Sequence, residues 1–173
     1  MLIGITGKSG VGKSTYARKI AEENGFFVVH IDKVSHRILN LPAYKALLID
    51  MFGDEIVGES VDRKHLGDLI FTNRDLYKEF SELLWKEMKH QIDHILSTHE
   101  NVILDWILLP HTHYWNMCDK KILVVADEEE RKRRVMARDN IAADYLNKRD
   151  AAGISYDNIE FDEVKENNYG QTI

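Results

Sequence analysis

The sequence predicts an α/β fold: a five-stranded, mostly parallel sheet with helices on both faces and a helical lobe inserted into it. Three observations predict it. A glycine-rich stretch, Gly7-Lys8-Ser9-Gly10-Val11-Gly12-Lys13-Ser14, follows an apolar run at residues 2–5 and leads into a helical pattern. Further apolar runs at residues 26–31, 101–105 and 121–126 are continuous rather than alternating, as expected of strands buried on both faces of a parallel sheet. Between the second and third of these runs, residues 42–98 carry helical periodicity with little strand character.

The glycine-rich stretch fits G-x-x-x-x-G-K-[ST], the P-loop pattern. Gly7, Gly10 and Gly12 permit positive φ and close backbone approach, so that successive N–H groups, those at Ser9 and Val11 included, turn inward to form an anion site. A helix starting near Gly12 adds its dipole and its unpaired N–H groups. Lys13 is then expected to reach the β and γ phosphates of ATP, Ser14 to coordinate Mg2+, and Thr15 to bond the α phosphate. A chance glycine-rich turn is the alternative. The strand before the motif and the helix after it, residues 16–23 with Ala17, Ile20 and Ala21 on one face, weigh against that.

Gly25 closes the first helix, and the run 26–31 ends at Asp32, at the edge where parallel sheets present groups to ligands. Asp32 is expected to act in catalysis or substrate binding, although an N-cap of the helix 33–39 would also use an aspartate. Helices are expected at 43–52, 61–71 and 73–97, with a turn region at 53–60; the last repeats Leu76, Phe80, Leu83, Leu84, Met88, Ile92 and Ile95 at helical spacing. So much helix between two strands suggests a substrate-covering lobe at 33–99, part of it plain crossover packing. The third run ends at Asp105, a second candidate for the magnesium site, or a strand-end turn residue. Residues 106–117 read as irregular.

After the run 121–126, residues 127–138 start acidic and end basic, as a helix should. Arg134 and Arg138 share a face at i, i+4 and are expected to meet nucleotide phosphates, with a lid at 138–154 whose helix is 141–152. Arg131 and Lys132 read instead as a solvated helix surface paired with the acids at 128–130.

Length and composition bound the rest. The 173 residues, 44% hydrophobic and 30% charged, suffice for one domain with a sizeable core. A net charge of −6 argues against a broad nucleic-acid surface. Cys118 is the single cysteine, which excludes an intramolecular disulfide and suits a reducing compartment. The apolar segment before the P-loop is too short for a signal peptide, and no later run has membrane-spanning length. The expectation is a soluble cytoplasmic protein with a small-molecule substrate, no nucleic-acid or membrane partner, and a monomeric or weakly homo-oligomeric state.

Two decoys are set aside. Asp50-Met51-Phe52-Gly53 and Asn147-Lys148-Arg149-Asp150 mimic D-x-x-G and N-K-x-D of GTPases, but both fall on helical patterns instead of strand ends. His90 with His94, and His111 with His113, lack the cysteines or glutamate that would make a zinc site, so no structural metal is expected.

With these residues in place, the chain resembles dephospho-coenzyme A kinase over nearly its whole length. The resemblance rests on Gly4-Ile5-Thr6-Gly7 entering the P-loop; Ile31-Asp32 with Arg37; Phe52-Gly53 with Ile56; Asp62-Arg63 with Leu66 and Ile70-Phe71; Leu104-Asp105; Met136-Ala137-Arg138-Asp139; and Asn167-Asn168. It implies ATP-dependent phosphorylation of the ribose 3′-hydroxyl of dephospho-CoA, the last step of coenzyme A synthesis. It also implies that Asp32 is the base or orienting group for that hydroxyl, Arg138 a lid contact to phosphate, and Asn168 a neighbour of the adenine. The chain departs from the family at Trp85-Lys86, where His-Pro is usual, at Ile107-Leu108-Leu109-Pro110-His111 after Asp105, and at the lid, which lacks a glutamine near Gly153. A nucleoside or nucleotide kinase is the alternative enzyme, and an ATP-binding protein without phosphoryl transfer the alternative outside enzymes.

Overall fold

In a computed structural model, the described residues are 1–62, 65, 66, 69, 74–151 and 153–167. The expected adenine neighbour Asn168 and parts of the expected segments 61–71 and 138–154 lie outside them. The chain divides into two compact units: Met1–His30 with His99–Ile173, and Ile31–Thr98.

The first unit is built on five strands, β1 (Leu2–Thr6), β2 (Phe27–His30), β3 (Val102–Asp105), β4 (Lys120–Val125) and β5 (Glu163–Glu166), in the order β2-β3-β1-β4-β5. Every pairing between these strands is parallel. The order explains the composition. β3 lies between β2 and β1 and its four residues are all buried, which is why Val102-Ile103-Leu104 is apolar without alternation before the strand ends at Asp105. β5 pairs on one side only, and its sequence Glu-Val-Lys-Glu alternates half-buried with exposed positions. An edge strand of that composition carries no apolar run.

Helix α1 (Lys13–Asn24) covers one face of the sheet, where Ala17 packs with Ile3, Ile5, Val11, Ile103, Ile122 and Val124. Because successive strand residues point to opposite faces, Gly4 and Thr6 face the other way. There the stretch expected to be irregular holds a single 3-10 turn at Leu109–His111 and a short helix, numbered α5 (His113–Met117) in chain order. A Cβ on Gly4 would stand 2.8 Å from Cys118 Sγ and 2.9 Å from the Trp115 ring, so this strand glycine is the space that Trp115 and Cys118 fill. Burial pushes the Cys118 thiol up to about 12, which keeps it protonated and inert at neutral pH.

The second unit holds α2 (Ile31–Leu39), α3 (Pro42–Phe52), a 3-10 turn at Asp54–Ile56 and α4 (Arg74–Thr98). Pro42 sits at the start of α3, where the missing N–H costs nothing, and Gly53 at φ 93° ends it. The core of this unit is Leu39, Leu48, Ile56, Val61, Leu66 and Phe80, with the Phe52 and Phe80 rings edge to face at 5.8 Å. On α4 the buried positions Phe80, Met88 and Ile92 follow the helical period, whereas Leu83, expected on the apolar face, is among the exposed large hydrophobics.

The first unit is completed by α6 (Glu128–Asp139) and α7 (Ala143–Ala151). Asp127 caps α6 by accepting from the Glu130 N–H at 2.9 Å, and Asn140 in the left-handed conformation ends it. Asn147 lies inside α7 and Asp50 inside α3, so neither decoy tetrapeptide stands at a strand end. No helix among the described residues is long and apolar enough to cross a membrane.

Candidate active site

The P-loop begins where β1 stops. Register places Ile5 beside Asp105 and His30 beside Asp105, so the carboxyl ends of β1, β2 and β3 are level with one another at the loop. Gly7, Gly10 and Gly12 have φ of 143°, 86° and 95°, values that side-chain-bearing residues rarely adopt. At Gly7 the requirement is also steric: a Cβ would lie 2.2 Å from the Val124 carbonyl oxygen. That oxygen belongs to β4 and cannot yield without breaking the sheet. Gly7→Ala is therefore expected to destabilise the protein by about 3 kcal/mol or more, combining backbone strain with overpacking. Chemical denaturation measures this, and a midpoint equal to the wild type would contradict it.

Gly12 in the left-handed conformation is the N-cap of α1, which launches Lys13, Ser14 and Thr15 in the first helical turn. Lys13 Nζ donates to the Lys8 carbonyl at 3.0 Å, across the loop it follows. Ser14 Oγ donates to Asp105 Oδ2 at 2.6 Å. Asp105 is buried, and the same oxygen lies 2.8 Å from His30 Nδ1; because a carboxylate only accepts, that nitrogen carries the hydrogen. A hydroxyl oxygen and a carboxylate in contact at the mouth of a phosphate loop are the hard oxygen donors that suit Mg2+. A carboxylate fixed by two donors is also pre-aimed, since the partner of a metal-holding group sets its orientation.

Arg138 places Nη2 3.1 Å from Ser9 Oγ while its Nε and Nη2 grip Asp139, holding that carboxyl below its ordinary value. Arg149 on α7 reaches the same Asp139 at 3.0 Å. Arg134, the other arginine expected at phosphate, is half-exposed with its Nε 3.3 Å from Glu130. Asp32 belongs to the second unit, where it is exposed in the first turn of α2 and its carbonyl accepts from Ser35 Oγ at 2.9 Å.

Asn167, Thr6 and Arg131, to which the sequence reading gave no role in the site, stand at the loop. Asn167 is buried after β5, and its Nδ2 donates to the Val11 carbonyl at 2.8 Å. Thr6 Oγ1 lies 3.1 Å from the Ile107 carbonyl oxygen and 3.3 Å from the Tyr156 hydroxyl, which itself reaches the same carbonyl at 3.3 Å; burial raises the Tyr156 hydroxyl above its ordinary value. Arg131, expected on a solvated face, is instead fully buried. It does pair with Glu128 as anticipated, and that bond holds the Glu128 carboxyl below its ordinary value, but its Nη1 also donates to the Ser9 carbonyl at 3.0 Å. The i, i+3 spacing of Glu128 and Arg131 signals an ion pair and says nothing of burial. Only the loop lying across α6 decides that.

A family model described as dephospho-CoA kinase (CoaE) matches residues 1–164. Among curated relatives, a dephospho-CoA kinase of Streptococcus agalactiae is 36% identical over 148 residues, covering 80% of this chain and 74% of that protein. One from Fusobacterium nucleatum is 30% identical over 150 residues, covering 82% and 75%. Of solved structures, TT1252 from Thermus thermophilus superposes with a TM-score of 0.80 at 29% identity, covering 96% of this chain and 88% of that one. Dephospho-CoA kinase from Campylobacter jejuni superposes with a TM-score of 0.64 at 22% identity over the same shares, a likeness of fold.

Proposed function

The chain belongs to the dephospho-CoA kinase family, a family of phosphotransferases, and from that premise we propose that it transfers the γ-phosphoryl of ATP to the ribose 3′-hydroxyl of dephospho-CoA. The observation that carries the reading is the Ser14–Asp105 contact beneath a loop whose glycines leave room for nothing bulkier. In it the loop amides and Lys13 bind the β and γ phosphates of ATP, and Thr15 bonds the α phosphate. Ser14 and Asp105 would hold Mg2+, which when bound neutralises charge on the β and γ oxygens. Asp32 orients the acceptor hydroxyl and takes its proton as the oxygen attacks the γ-phosphorus and ADP departs. Arg138, with Arg134 on the same helix face, stabilises charge on the transferring group. Arg138 is 61% exposed and its present pairs are screened by solvent, so it can exchange them for phosphate oxygens at little cost. Residues 33–99 serve as the substrate lobe, 138–154 as the lid, and Asn168 adjoins the adenine. The protein works in the cytoplasm as a monomer or weak homo-oligomer, without nucleic acid.

Acceptor-stimulated ADP release tests the reading, with ATP and magnesium held constant and dephospho-CoA compared against nucleosides and nucleoside monophosphates. Turnover on dephospho-CoA, with a product heavier by one phosphoryl group, is the expected result. Turnover confined to a nucleoside or nucleotide would overturn the acceptor, and ADP release indifferent to every acceptor would overturn the transfer.

A further inference from the structure

An arginine with no solvent exposure needs an explanation. Removing a guanidinium from water costs more than a single surface counterion returns, so a buried one must satisfy its donors and be kept for something. Arg131 Nε and Nη2 form a fork with Glu128 at 2.9 and 2.7 Å, Nη2 also donates to Asp150 on α7, and Nη1 reaches the Ser9 carbonyl. The Glu128 fork would form equally well at the surface, one turn away on the same helix. Burial adds the two distant contacts, to the loop and to α7. The fit against the loop is close: a Cβ on Gly10 would lie 3.0 Å from the Arg131 carbonyl oxygen and 3.2 Å from its Cγ.

We infer that Arg131 is a positioning residue for nucleotide binding: its buried guanidinium clamps the Ser9 carbonyl, and thereby aims the Gly10 N–H, with Asp150 setting the clamp from α7. The peptide plane makes the connection. In a trans peptide the carbonyl and the following N–H point in opposite directions, so a donor that fixes the Ser9 oxygen on the α6 side turns the Gly10 N–H away from α6. Asn167 does the same two peptides further on, holding the Val11 carbonyl and so the direction of the Gly12 N–H. Backbone donors aimed before the ligand arrives need no reorganisation when it binds, which is where such a loop gains affinity. The two clamps differ in what they respond to. Asn167 extends the β4–β5 ladder, its N–H donating to the Val125 carbonyl at 2.8 Å, and is as rigid as the sheet. The Arg131 clamp shares its charge with α7, so the position of that helix and the geometry of the loop depend on each other.

The inference rests on the loop being a phosphate site, and equilibrium binding of ATP in the absence of acceptor tests it independently of which acceptor is used. Arg131→Lys keeps the charge but loses the fork, and is expected to weaken ATP binding on the order of 10-fold, the scale of one charge-assisted hydrogen bond. Asp150→Asn should weaken it less and in the same direction. In both variants the KM for ATP should rise while the KM for the acceptor stays level. A purely structural role would lower the melting temperature and the amount of folded protein while leaving the ATP affinity of the folded fraction unchanged. Should Arg131→Lys fail to fold, Asp150→Asn still decides: unchanged ATP affinity in that folded variant would overturn the inference. Wild-type ATP affinity in folded Arg131→Lys would overturn the inference; loss of affinity there, with no turnover on dephospho-CoA by the wild type, would leave it standing and remove only the acceptor.

Discussion

Lys13→Met is expected to reduce turnover on the order of 10²–10³-fold while the protein stays folded, as loss of one preorganised electrostatic partner of a transition state does. Lys13 is the first residue of α1, partly exposed, and its Nζ donates to the carbonyl of Lys8 in the loop that it closes. Methionine preserves the length and helix propensity of the side chain and removes only the ammonium. The partly solvated hydrogen bond to Lys8 is worth on the order of 1 kcal/mol, a small share of the stability of a domain this size. On the proposed reading the transition state loses an ammonium beside the β and γ oxygens, where negative charge shifts during transfer. Coupled ADP release gives the turnover and circular dichroism the melting curve. Turnover within a few-fold of the wild type would remove Lys13 from the catalytic group; a collapsed melting curve would make its role structural.

Asp32→Asn should lower kcat by about 10²–10⁴-fold, the range that a general base contributes. Asparagine is isosteric and, as a residue in the first turn of α2, still able to bond there, while the helix loses the favourable placement of a negative charge at its N-terminus, about 0.3–1 kcal/mol. The substitution thus separates the chemistry of the carboxylate from its packing. Single-turnover kinetics with ATP prebound distinguish the step affected: a lower rate at saturating acceptor with unchanged ATP affinity is the expected pattern. An equal loss of ATP binding would place Asp32 among the nucleotide contacts, and unchanged kcat would move the base elsewhere.

Both predictions concern residues legible in the chain alone, and the reason is local. The P-loop is written in eight consecutive positions, because each glycine answers a φ demand of its own residue and the helix that follows needs only its own periodicity. Asp105 was legible because a continuous apolar run ending in an acid marks the exit of a buried parallel strand, whereas the run before Asp32 gives way to α2 already at Ile31, so that Asp32 stands in the first turn of that helix and not at the strand end. α6 declared itself by its acid-to-base gradient and its aspartate cap. β5 and α5 did not, for opposite reasons. β5 has no fully buried residue and so carries no apolar run, and a five-residue helix is too short to display a period.

What the sequence determined by itself, then, is the P-loop, the α/β class, the acid that ends β3 and the charged helix behind the loop. Each is a property of a window of neighbouring residues. What only the tertiary structure decided is the strand order and the company those residues keep. Ser14 meets Asp105 across 91 positions, His30 meets it across 75, Arg131 reaches Ser9 across 122 and Asn167 reaches Val11 across 156. No local preference distinguishes an arginine that stays in water from one that a distant loop will cover. Burial is conferred by the partner that arrives, and with it the change of Arg131 from a solvated charge to a clamp on the loop.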